Sequence, residues 1–210
     1  MMEYLENLQN LDRAISVAVN GCHSEFWDSV MIFLSNKYAL IPFYVMILLY
    51  VLGRKTFRIR RREFFNGWML SLMIVLACVV TFFIIDMTGH DIIKPYFQRL
   101  RPGYDFYIWD QIRTPDGKGG AWSFVSNHAA NLAGLAMVSS LFIKRWRYTL
   151  LIFLLMIAVA YSRVYLGRHF LGDVICGAIY GIVVGYIVYL VFSSIILFLA
   201  RRRIIRESRY

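Results

Sequence analysis

Residues 174–200, VICGAIYGIVVGYIVYLVFSSIILFLA, run for 27 positions without an Asp, Glu, Lys, Arg or His. At ~1.5 Å per residue such a helix crosses a hydrocarbon core of about 30 Å, so the stretch is a membrane span. Working back from it, residues 38–53, 64–85, 129–143 and 148–162 are also free of ionisable side chains. The three shorter ones have to continue into flanking polar residues to cross. The 210-residue chain is 59% hydrophobic and 17% charged, below the roughly 25% charge of soluble domains, which excludes a soluble globular protein and a disordered one. Expected is an all-α integral membrane bundle of five to six transmembrane helices, in a single domain over 1–210 with its core at 38–200.

Ahead of the spans, Leu5, Leu8, Leu11, Ile15 and Val19 recur at helical spacing up to Gly21. A second apolar stripe, Trp27, Val30, Met31 and Leu34, follows Ser24, a candidate N-cap. Both pieces of 1–37 read as helices lying in the bilayer interface, with 24–36 as a shallow sixth span in the alternative. The start, Met1-Met2-Glu3-Tyr4, has neither the basic region nor the apolar core of a cleavable signal peptide.

Lys and Arg set the orientation. Six lie in 54–62, three in 144–147 and five in the tail 201–210. Five spans put all three runs on one side, expected to be cytoplasmic, and put 1–37, 86–128 and 163–173 together on the other. The net charge of +10 is therefore read as a topology signal, with no nucleic-acid partner. Cys22, Cys78 and Cys176 fit neither a disulfide framework nor a zinc site. Gly177, Gly181 and Gly185 make a ridge for close helix packing.

Polar residues gather in three clusters on the outer side: Lys94 to Pro102, Ser123 to His128, and Ser162 to Asp173. Lys94, Arg101 and Arg163 would make a cationic pocket suited to phosphate oxygens. Ser126 adds a hydroxyl at the start of a helix, where free N–H groups favour anions. His128 and His169 can divide nucleophile and proton-donor roles, and Asp173, four residues after His169, shares a helix face with it and can fix its tautomer. A phosphate monoester or diphosphate suits this set, and no carboxylate cluster for Mg²⁺ or Zn²⁺ appears. His23 and His90 read as structural, and Asp86 and Asp91 as caps or partners of a nearby Arg. Arg99 and Arg168 either steer anionic head groups or sit in the interface.

Lys-x6-Arg-Pro, then Ser-x-His, then Ser-Arg-x5-His-x3-Asp resembles the three-part signature of the type 2 phosphatidic acid phosphatase family. That resemblance implies that His169 attacks phosphorus and becomes phosphohistidine, that Asp173 orients it, and that His128 protonates the leaving oxygen and later activates water. It implies that Lys94, Arg101, Arg163, Ser126 and the Asn127 backbone hold the phosphate, with no metal and no cofactor. The second motif departs from the family's Pro-Ser-Gly-His at Val125 and Asn127, which bears on pocket shape. The implied function is a lipid phosphatase of the bacterial inner membrane, acting on the extracytoplasmic face with the C-terminus in the cytoplasm. Undecaprenyl diphosphate is the first expectation for the substrate. Phosphatidylglycerol phosphate, phosphatidic acid and lipid A phosphate stay open. So does a phosphotransferase using the same residues. A non-enzymatic lipid-binding protein would not need a paired nucleophile and orienter.

Overall fold

The computed structural model describes residues 2–36, 38, 41, 45, 48–50, 56–59, 62–65 and 68–207. The expected span at 38–53 and the basic run at 54–62 therefore lie largely outside the described residues. Helix α1 (Met2–Gly21) ends at the expected glycine, and α2 (Glu25–Ser35) starts after Ser24, whose Oγ accepts from Trp27 N at 3.3 Å. A short antiparallel hairpin, β1 (Thr56–Ile59) with β2 (Arg62–Phe65), precedes α3 (Trp68–Met87). Then come a π-helical turn at Thr88–Ile93, α4 (Lys94–Phe97), α5 (Asn127–Ile143), α6 (Trp146–Tyr165) and α7 (Leu171–Glu207).

Among the described residues, three stretches, Ser71–Phe97, Trp146–Tyr165 and Leu171–Leu199, are long and apolar enough to cross a membrane. With 17 residues, α5 is shorter and is the bundle's axis, burying Ala129, Ala130, Leu132, Ala133, Gly134 and Ala136 among its neighbours. The glycine ridge of α7 packs on it. A β-carbon at Gly177 would stand 2.7 Å from the Ser126 carbonyl oxygen, and one at Gly185 would stand 2.5 Å from that of Gly134. Small residues let two backbones meet where apolar burial gives helices little mutual attraction. Further along, Ile74 and Ala77 of α3, Val138 and Phe142 of α5 and Val188 and Tyr189 of α7 close the core.

At 11 residues α2 spans only about 16 Å, too short to cross. In α1 Leu8 is 47% and Leu11 57% exposed, Ile15 is half-buried and Val17 and Val19 pack against the core, while Ser16 and Asn20 are each 1% exposed. The polar stripe Asp12, Ser16, Asn20 turns inward. Asn20 donates to the carbonyls of Tyr165 and Arg113 and accepts from Arg113 N; Arg13 pairs with Asp105 at 3.0 Å. So α1 holds the 98–126 loop with polar contacts and packs Val17 and Val19 on the core, while its N-terminal leucines stay outward, where an interfacial helix meets lipid. Segments 1–36, 86–128 and 163–173 meet at one end of the bundle; the α5–α6 turn and the end of α7 lie at the other.

Candidate active site

The first cluster is shaped by a change of winding. After Met87 the helix loosens into the π-turn, tightens again over Lys94–Phe97, and stops at Gln98 in the left-handed region, φ 48°. The chain then makes a long excursion whose neck is stitched shut: Arg101 N donates to Ala121 O at 3.0 Å and Ser123 N to Arg99 O at 2.7 Å. That neck brings Lys94, Arg99 and Arg101 beside Ser123 and the start of α5. Gly119 lies under the guanidiniums of Arg101 and Arg168, where a β-carbon would collide with both.

The third cluster is set by Gly167. Its φ of 65° reverses the chain after α6, and a β-carbon there would meet the Arg113 carbonyl at 2.8 Å. Arg168 N and His169 N then both donate to the Arg163 carbonyl, at 3.0 and 3.1 Å, which folds His169 back over the end of α6. His169 therefore precedes α7 rather than sharing a helix face with Asp173, and this corrects the sequence expectation. Its Nδ1 is 3.8 Å from Asp173 Oδ2, too far for a direct hydrogen bond. Ser123 closes the gap: its Oγ lies 3.2 Å from His169 Nδ1 and donates to Asp173 Oδ2. With the hydroxyl proton committed to the carboxylate, Oγ can only accept from His169, so Nδ1 carries the proton. The lone pair of Nε2 is left free.

Asp173 has no exposed surface. Its Oδ2 also accepts from Phe170 N at 3.1 Å, its Oδ1 from Arg99 at 2.7 Å, and its carbonyl from Ser126 N at 3.1 Å. Burial, opposed by Asp173 and reinforced by the charge of Arg163, pushes the pKa of His169 down to about 3. The imidazole is neutral at physiological pH, as a nucleophile requires.

The cations at this end of the bundle divide into two groups. Arg13, Arg99, Arg113 and Arg168 each hold a carboxylate, at 3.0, 2.7, 2.8 and 2.9 Å. Lys94, Arg101, Arg163 and the exposed Lys118 have no carboxylate partner among the described residues; Lys118 lies over the Tyr104 ring at 5.4 Å. Arg101 Nε donates to the Trp122 carbonyl at 3.2 Å, and Arg163, 6% exposed, reaches Ser35 Oγ on α2. Burial and then the nearby charge of Arg168 push Arg101 below its ordinary pKa. The Arg163 Nε and Ser126 Oγ atoms are buried without a hydrogen-bond partner. Buried polar atoms are nearly always paired, and like charges repel, so an anion would satisfy this set. His128, in the first turn of α5, lies within electrostatic range of His169, Lys94, Arg101 and Arg163.

The residues predicted from the three motifs thus converge, with one difference at Asn127. Its side-chain amide turns from the cations to Asp86, at 3.2 Å, leaving its first-turn backbone N–H for an anion. Asp86 accordingly takes Asn127 and Asn131 amides rather than an arginine, and Asp91 pairs with His90 at 2.8 Å. Sequence reasoning passed over Ser123, which carries no charge, and Asp12 and Ser35, which lie far from every motif. The one legible sign of Asp12 was a polar stripe on a helix read for its apolar side.

The PAP2 superfamily model matches residues 68–196. A lipid A 4'-phosphatase of Bacteroides thetaiotaomicron is 34% identical over 190 residues, covering 89% of this chain and 79% of its own length. A second, from Porphyromonas gingivalis, is 29% identical, covering 90% and 75%. Among solved structures, a transmembrane PAP2-type phosphatidylglycerolphosphate phosphatase from Bacillus subtilis aligns with a TM-score of 0.62 at 23% identity, over 87% of this chain and 84% of that one. Aquifex aeolicus LpxE aligns at 0.59 and 22%, over 83% and 92%.

Proposed function

The chain belongs to the PAP2 superfamily, and from that membership we propose that it is a metal-independent phosphatase that removes a phosphate monoester from a lipid through a phosphohistidine at His169. It is a membrane lipid phosphatase; the residue roles, the substrate and the side of the membrane are this proposal. The observation that carries it is that Lys94, Arg101 and Arg163, each at least partly buried, have no carboxylate partner among the described residues and lie beside a buried neutral imidazole.

Nε2 of His169 attacks phosphorus as the P–O ester bond breaks, and the leaving alkoxide takes a proton from the His128 imidazolium, whose charge the bound phosphate supports, leaving His128 neutral. His128 then accepts a proton from water, the resulting hydroxide attacks phosphorus, the P–N bond breaks and inorganic phosphate leaves. Lys94, Arg101, Arg163, the Ser126 hydroxyl and the Asn127 N–H hold the three peripheral oxygens. Such donors act most strongly on the five-coordinate transition state, and each is worth roughly 10²–10³ in rate. Asp173, through Ser123, keeps the proton of His169 on Nδ1.

Two relatives named as lipid A 4'-phosphatases favour a phosphorylated saccharide lipid over undecaprenyl diphosphate. The site would face the extracytoplasmic leaflet, with the acyl chains left in the bilayer. The test is phosphate release by the purified protein from bisphosphorylated lipid A, undecaprenyl diphosphate, phosphatidylglycerol phosphate and phosphatidic acid in micelles, with and without EDTA. Expected is fastest release from lipid A, undiminished by EDTA and abolished in His169→Ala. Turnover by that variant, or a strict need for a divalent ion, overturns the mechanism. Labelled phosphate appearing on a lipid acceptor instead of in solution marks a phosphotransferase.

A further inference from the structure

Arg99 and Asp12 lie outside the residues to which the three motifs assign roles, yet they are built into the site. Arg99 Nη1 donates to Asp173 Oδ1 and Nη2 to Asp12 Oδ2, both at 2.7 Å. The guanidinium lies over the Phe170 ring at 4.1 Å. The second oxygen of Asp12 accepts from Gly172 N at 3.0 Å, in the first turn of α7. One carboxylate on α1 thus holds both the arginine and the backbone next to Asp173.

We propose that Arg99, held by Asp12, is a positioning residue for the reaction: it locks the Asp173 carboxylate in the one rotation that lets Ser123 fix the ring of His169. Asp173 divides its oxygens, Oδ1 to Arg99 and Oδ2 to Ser123 and Phe170 N. Remove the guanidinium and Oδ1 is left without its donor in a site with no exposed surface, so the carboxylate rotates toward Ser123 and the ring loses its acceptor. Remove Asp12 and Arg99 loses the second of its two anchors. A forked guanidinium can bridge two carboxylates; a single ammonium cannot span them in the same geometry. The same contacts assign a purpose to the inward polar stripe of α1: it brings an acid from the interfacial helix to the support of the catalytic pair.

The inference rests on His169 and Asp173 being the reacting pair. Its test uses the full-length protein in micelles, with bisphosphorylated lipid A as substrate and ¹⁵N-imidazole NMR as a readout that needs no turnover. Expected is a kcat loss of about 10²-fold in Arg99→Gln and about tenfold in Asp12→Asn, KM nearly unchanged, because a misplaced ring costs rate rather than binding. The double variant should be no slower than Arg99→Gln, and Arg99→Lys should lie between it and wild type. The spectrum should change from one Nδ1–H tautomer of His169 to a mixture in both single variants. Arg13→Gln is the control: it removes another ion pair between α1 and the outer loop, at 3.0 Å, without touching Asp173, and should keep wild-type kcat and tautomer. Asp12→Asn keeps the guanidinium in the protein and removes only its second anchor, so it decides the matter even if Arg99→Gln fails to fold. An unchanged tautomer in Asp12→Asn, or equal losses in Asp12→Asn and Arg13→Gln, overturns the inference. Turnover by His169→Ala overturns the proposed function instead.

Discussion

His169 combines full burial, a fixed tautomer and a depressed pKa, and these have a consequence in solution. An unfolded histidine titrates near 6.5, whereas this one is held down to about 3 by burial. Between those values the unfolded chain binds a proton that the native protein does not. The contribution to stability is therefore complete above about pH 6.5 and is lost as pH falls toward 3. Thermal unfolding in detergent should show a midpoint that declines across that window, and a smaller decline in His169→Gln, which has nothing to titrate. Equal declines would mean that other groups dominate the acid limb. At this scale the motifs made most of the site legible, because Lys94, Arg101, His128, Arg163, His169 and Asp173 each sit at fixed spacing from a second unusual residue. Ser123 was not legible, because an uncharged serine beside a motif has no signature until its two partners are placed. The expected contact of His169 with Asp173 on one helix face failed for a related reason. An i, i+4 spacing implies a shared face only if a helix spans it, and Gly167 delays the start of α7 until Leu171.

Among the elements, the contact of α5 with α7 governs whether the site stays assembled. The Gly177 end of the ridge meets the backbone of Ser126, whose N–H is bonded to the Asp173 carbonyl; the Gly185 end meets Gly134, two turns deeper. A methyl at either place forces helix backbones apart, and such overpacking costs about 1–3 kcal/mol. Gly177→Ala and Gly185→Ala should thus lower the melting temperature alike, but only Gly177→Ala should also cut phosphate release severely, since it moves Ser126 against Asp173. Equal activity losses would show that the ridge acts on the fold as a whole. Helices α3, α5, α6 and α7 were readable from charge-free runs, and the ends of α1 and α2 from Gly21 and Ser24. The inward polar stripe of α1 was not, since hydrophobic periodicity reports which positions are alike and not which polar partners lie beside them. Asp12 and Arg99 are 87 positions apart, and no local pattern joins residues across such a distance.

Taken as a whole, the molecule is polarised along its helix axes. The site end gathers Asp12, Asp28, Asp105, Asp116 and Asp173 against Arg13, Arg99, Arg113 and Arg168. The opposite end carries the runs 144–147 and 201–206 with no acid inside either. Lys and Arg clustered next to spans are retained in the cytoplasm, so the site end is expected outside. A native residue tests this directly. Cys22, in the turn between α1 and α2, is exposed and lies at the site end. In a Cys78→Ser, Cys176→Ser background, a membrane-impermeant maleimide should label Cys22 on intact spheroplasts, and a reporter fused after Tyr210 should report a cytoplasmic tail. Labelling that requires permeabilised cells would put the site on the inner leaflet. The phosphohistidine chemistry would survive that result, but the substrate would have to be met before it is exported.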